Sequence, residues 1–146
     1  MIADPTDRPT GAELLAEARR LLIDNLLSLL PPERRYDARM IANAMAIAAR
    51  ELEAGDEPVR TALNDLAALY DEPVDLGAVA AVLQQRLADL EHRLAEDIRG
   101  GRFDAADARR DAVQAYLRAS VLARLRISNP KALPYSDPIS SPTSSR

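Results

Sequence analysis

Cysteine is absent from the 146 residues, so disulfides, zinc–thiolate centres and cysteine nucleophiles are excluded. Tryptophan is also missing and aromatics make up only 3% of the chain, so a core must be built from Leu, Ala, Val and Ile. Glycine is scarce, with five residues, and neither GxxxxGK[ST] nor GxGxxG occurs, which leaves no phosphate-cradling loop. No GxSxG elbow is present. The single histidine, His92, cannot supply the paired Glu-x-x-His motifs of a di-iron bundle. Nowhere do about eighteen apolar residues run together, so no transmembrane helix is expected. The opening MIADPTDRPTG lacks an apolar h-region, so no signal peptide is expected either. These readings point to a cytoplasmic protein with no cofactor and no metal.

What is present favours helices. Hydrophobic residues form 47% of the chain, enough for a core, and alanine and leucine are strong helix formers. Thr10 and Glu13 form a capping box ahead of a leucine-rich first helix that the prolines Pro31 and Pro32 stop. A second helix runs from about Tyr36 to Glu53 and ends at Gly55. Its residues from Met40 to Ala49 leave no wide polar face, which predicts a buried central strut. A third helix starts near Pro58 and carries the stripe Val59, Ala62, Leu63, Leu66, Tyr70. A fourth begins after Asp75 and reaches Gly100-Gly101. Its seven-residue series Leu76, Leu83, Leu90 and Ala80, Leu87, Leu94 makes a coiled-coil-like seam. A fifth opens at Asp104 and ends before Pro130. Val113, Leu117, Ser120 and Arg124 share one side of it. The expected architecture is all-α: an N-terminal arm (1–9), a single-domain bundle of about five mostly antiparallel helices (10–128), and an extended or flexible Ser/Pro-rich tail (129–146).

Charge is unevenly spread. Residues 1–108 carry 12 basic and 21 acidic side chains, whereas residues 109–146 carry 7 and 2. An acidic body with a basic end argues against nucleic acid as a partner of the whole chain. The basic end offers Arg109, Arg110, Arg118, Arg124, Arg126 and Lys131. They scatter round the fifth helix, either as solvated charges paired to the acidic body or as a docking strip for an acidic groove or a CoA-type phosphate.

Two further polar groupings matter. Asp89, His92 and Glu96 share a helix face, but the leucine seam places that face in solvent. In ARMIANAMAIAAREL, Arg39, Asn43 and Arg50 run along one side of the second helix, with Tyr36 and Ile47 close by. A buried amide left without hydrogen bonds costs about 1–3 kcal/mol. One reading is therefore a satisfied core network that fixes helix register. Another is a site that recognises a carboxylate, a phosphate or a partner's backbone, and the last is catalysis.

Three segments in order, DRPTGAELLAEARRLL, ARMIANAMAIAARELE and LRASVLARLRISNPK, resemble a family of small uncharacterised bacterial all-helical proteins, a domain of unknown function. Residues 55–100 are similar only in general helical character. The resemblance implies a gene neighbourhood with an aminoglycoside-phosphotransferase-like kinase and an acyl-CoA-dehydrogenase-like enzyme. It implies a non-catalytic accessory subunit for that kinase in hydroxyacyl-CoA catabolism, and it singles out Arg39, Asn43, Arg50, Glu51, Asn129 and Pro130. The alternative is a small helical module that binds an acyl-CoA or another anionic ligand directly. An apolar strip on the fourth or fifth helix would serve a homo-oligomer as readily as a heteromer.

Overall fold

Thr10 caps the first helix as its sequence requires. The Thr10 hydroxyl accepts from the Glu13 amide at 3.2 Å, and the Thr10 amide donates to the Glu13 carboxylate at 2.8 Å. Those bonds hold the Glu13 carboxyl below its usual range. The computed structural model describes residues 8–133. Its helices are α1 (Gly11–Leu21), α2 (Arg35–Ala54), α3 (Glu57–Leu69), α4 (Ala80–Arg99) and α5 (Ala108–Ser128). No strand occurs among the described residues, so the fold is a single all-α domain.

Several boundaries fall away from the sequence expectation for local reasons. The α-helical part of the first helix ends at Leu21. The chain continues through a π turn at Leu22–Leu26 and a 3₁₀ turn at Leu27–Leu29, before the prolines. α4 starts only at Ala80, because the Asp75 carboxylate accepts from the Gly77 amide at 2.9 Å and ties those residues into a turn. α5 is capped by Asp107 rather than Asp104: the Asp107 side chain accepts from the amides of Arg109 and Arg110. Gly55 closes α2 at φ +55°, a conformation that favours glycine. Of the expected tail, Pro130–Ala132 forms a 3₁₀ turn, and residues 134–146 lie outside the described residues, as do 1–7.

The core is built by the last three helices. Leu63, Leu66 and Ala67 of α3, Leu83, Leu90 and Leu94 of α4, and Val113 and Tyr116 of α5 are buried together, with Phe103 of the α4–α5 connection among them. The predicted seam is present at Leu83, Leu90 and Leu94 of α4, with Leu87 half-buried against them, whereas Leu76 precedes the helix. α3 packs against both α4 and α5 and is the central helix. α2, expected to be the buried strut, is not. Met40, Ile41 and Leu52 are each more than half exposed, and only Ala38, Ala42 and Ala49 are buried. The physical reason is that its all-round apolar character is mostly alanine, which gains little from burial, so apolar count overstated the burial α2 needs.

α1 and α2 instead form a hairpin whose buried residues, Ala12, Ala38, Ala42 and Ala49, are all alanine. Small side chains let the two backbones approach, with Leu15, Leu22, Ile23 and Met45 half-buried around them and other large apolar side chains exposed. The entry to the hairpin is fixed by Arg35, which donates to the carbonyls of Leu30 (3.1 Å) and Ser28 (3.3 Å) and so satisfies the end of the leucine-rich segment.

A polar clamp at the far end locks α3 to α4. The Tyr70 hydroxyl donates to Asp97 at 2.9 Å, Arg93 stacks over the Tyr70 ring at 4.1 Å, and Arg93 and Arg86 both pair with Glu72. Burial, then the Asp97 hydrogen bond and charge, pushes the Tyr70 hydroxyl up to about 12. A raised tyrosine pKa contributes stability in full below its ordinary value of about 10 and loses it as pH rises through the folded value. Stability measured by urea unfolding should therefore fall between pH 10 and about 12. Tyr70→Phe should flatten that fall, and an unchanged slope in the variant would contradict the clamp.

Candidate functional site

Positions 36, 40, 43, 47, 50 and 54 recur at helical three- and four-residue spacing, so Tyr36, Met40, Asn43, Ile47, Arg50 and Ala54 form one stripe along α2. The structure divides this stripe in two. Its C-terminal half meets the end of α5: the Arg50 Nε donates to the Ile127 carbonyl at 2.6 Å, and Ala54 and Ile127 line the same cleft. Ile47, Arg50 and Ala54 are accordingly half-buried. The Arg50 bond places a cation on a carbonyl in the last turn of α5, where the helix leaves acceptors unsatisfied and its dipole favours positive charge.

The N-terminal half of the stripe is open. Tyr36 is 69% and Met40 51% exposed, and Arg39 and Asn43 beside them are exposed as well. Among the described residues, neither Arg39 nor Asn43 makes a side-chain hydrogen bond or ion pair. The core-network reading of Asn43 is thus corrected: an exposed amide is solvated and holds no register. The structure separates the three residues into one structural arginine, Arg50, and an open patch of Tyr36, Arg39, Met40 and Asn43. Glu51 is exposed on the same helix, away from the patch.

The basic end resolves similarly. Arg124 donates to Glu91 of α4 at 3.1 Å, and the same carboxylate accepts from the Tyr116 hydroxyl at 3.2 Å. Burial, then the Glu91 charge, raises the Tyr116 hydroxyl above its ordinary range. Arg124 is therefore paired to the acidic body, whereas Arg109, Arg110, Arg118, Arg126 and Lys131 form no ion pair among the described residues. Arg118 is exposed. Asn129 ends α5, its amide donating to the Leu125 carbonyl at 2.9 Å, and it leads into the Pro130–Ala132 turn. His92 is exposed with Glu96 at 3.3 Å, and no group of three metal-type side chains converges among the described residues.

A cleft of about 370 Å³ runs between α3 and α5. Ala62, Ala119 and Ala123 line it, with Glu57, Asp65 and Arg126. Sequence spacing does not reveal it, because alanines on two antiparallel helices look the same whether they touch or leave a gap. Of the arginines suggested for an anionic ligand, only Arg126 lines the cleft, whose lining also includes the carboxylates of Glu57 and Asp65.

The profile of the domain of unknown function DUF6285 matches residues 28–132. The chain belongs to this family. The matched segment contains α2 to α5 and all the patch residues, whereas α1 precedes it. No protein of curated function and no solved structure matches the chain.

The division of the stripe predicts unequal responses to substitution. Arg50→Ala should destabilise the fold by about 1–3 kcal/mol in urea unfolding, the cost of a lost charged hydrogen bond and an orphaned carbonyl. Arg39→Ala and Asn43→Ala should each stay within about 0.5 kcal/mol of the parent, as exposed sites do. Equal losses at all three positions would contradict the division.

Proposed function

We propose that this DUF6285 chain is a non-catalytic accessory subunit that binds and activates or stabilises an aminoglycoside-phosphotransferase-like kinase acting on hydroxyacyl-CoA. The open half of the α2 stripe carries the reading. Tyr, Arg and Met are the residue types enriched where proteins meet, and Tyr36, Arg39 and Met40 stand together with Asn43, exposed and without side-chain bonds among the described residues. The patch offers an aromatic ring and a flexible thioether for apolar contact. The guanidinium and the amide can engage a partner's carboxylates or backbone carbonyls. The neighbouring structural bond from Arg50 to α5 fixes the presenting helix, which lowers the ordering cost of binding. The kinase as partner follows from the family resemblance.

The test is reconstitution with that kinase. The two chains should co-purify, and kinase turnover or thermal stability should rise when this chain is added. The double variant Arg39→Ala/Met40→Ala should weaken the complex at least 10-fold with its own fold intact, whereas Arg118→Ala should not. Absence of a complex together with equal turnover would overturn the reading. Acyl-CoA added to the isolated chain should leave its melting temperature unchanged. A rise would favour the alternative, direct binding of the ligand in the α3–α5 cleft.

A further inference from the structure

A second unpartnered surface lies on the other side of the hairpin. Gly11, Leu14, Ala18 and Leu21 recur at three- and four-residue spacing on α1, and Leu14 and Leu21 are exposed. In a continuous α-helix, Leu26 and Leu29 would swing away from that line. The π turn prevents this. Leu27 donates to the Leu22 carbonyl five residues back, so residues five apart, such as Leu21 and Leu26, come about one turn apart. The 3₁₀ turn at Leu27–Leu29 follows, and residues three apart eclipse in that geometry, which keeps Leu29 over Leu26. The irregular segment thus extends one exposed leucine line, Leu14–Leu21–Leu26–Leu29, over roughly 22 Å. A π turn inserted in a helix frequently marks a functional position.

α2 widens this line into a face. A Cβ on Gly11 would lie 3.2 Å from the Leu52 side chain, so Leu52 adjoins the α1 stripe, and Ile41 precedes it on the same side of α2. By helical position, Ile41 and Leu52 lie nearly opposite Arg50, which meets α5, so this face is turned away from the α3–α5 core. Leu14, Leu21, Leu26, Leu29, Ile41 and Leu52 are between 40 and 78% exposed. Together they leave roughly 600 Å² of apolar surface in water, at the upper end for a monomer. A stable pair needs about 800 Å² per partner, which this face and its rim can supply.

We infer that the occupant is a second copy of this chain, joined through the Leu14–Leu29 face of the α1–α2 hairpin about a two-fold axis. Two hairpins laid face to face make a four-helix bundle, and that bundle gives each alanine-seamed hairpin the leucine core it lacks alone. Ala18, Ala44 and Ala48 lie among the large side chains, and Glu17, three residues after Leu14 and four before Leu21, borders them and is paired with Arg20. The pairing leaves Tyr36, Arg39, Met40 and Asn43 free on the opposite side, so two copies could each hold a partner.

Sedimentation velocity of the full chain from 5 to 200 µM tests the inference. The expected species has twice the chain mass of 15.9 kDa. Leu21→Glu should weaken association at least 100-fold with helical circular dichroism retained, since a solvated monomer tolerates the charge at an exposed site. Leu14→Glu provides an independent variant should Leu21→Glu lose helicity. Leu117→Glu, on exposed α5, should leave the dimer unchanged. A monomer at every concentration, a species larger than two chains, or a dimer indifferent to both hairpin variants would overturn the inference.

Discussion

The seam between α1 and α2 constrains the rest of the molecule. Alanines at 12, 38, 42 and 49 bring the two backbones together but bury little apolar area. At about 25 cal/mol per Å², small side chains return far less than the leucines of the other three helices. Stability is therefore concentrated in α3, α4 and α5, where Leu63 and Leu66 are fully buried and leucines from α4 close over them. The hairpin is attached to that core through the Gly55 turn and the contact of α2 with the end of α5, secured by Arg50. Several large apolar side chains, among them Leu14, Leu21, Met40, Ile41 and Leu52, occupy the hairpin's outer surfaces.

This arrangement separates holding from presenting. The three-helix core and its two polar clamps, Tyr70–Asp97 and Glu91 with Tyr116 and Arg124, fix the scaffold. The hairpin then offers two different surfaces. One is mixed in chemistry, with tyrosine, arginine, methionine and asparagine, as suits a contact that also forms and dissolves in water. The other is mainly aliphatic, as suits a lasting contact. Their positions on opposite sides of α2 allow both to be occupied at once.

Much of the fold was legible in the sequence because local chemistry dictated it. The Thr10–Glu13 capping box, the proline and glycine stops and the seven-residue series of α4 each specify structure through neighbours in the chain. The failures share a different cause. Alanine counts as apolar yet does not demand burial, so α2 read as a core helix when its alanines serve close approach to one neighbour. The partner of Arg50 is the Ile127 carbonyl, and a backbone acceptor has no residue identity to betray it. The π turn at Leu22–Leu26 left no spacing signal of its own, since a run of leucines fits several helical geometries. Arg39 and Asn43 are plain in the sequence as polar positions on α2, but their separation from Arg50 depends on where α5 ends, which is a tertiary fact.

The hairpin, with its small-residue seam, should be the less stable part of a molecule held together by α3 to α5. Native-state hydrogen exchange on the monomeric Leu21→Glu variant tests it most directly. The α1 and α2 amides should exchange at least 100-fold faster than the most protected amides around Leu63, Leu66, Leu83 and Leu90. Uniform protection across all five helices would show a single cooperative bundle and contradict it.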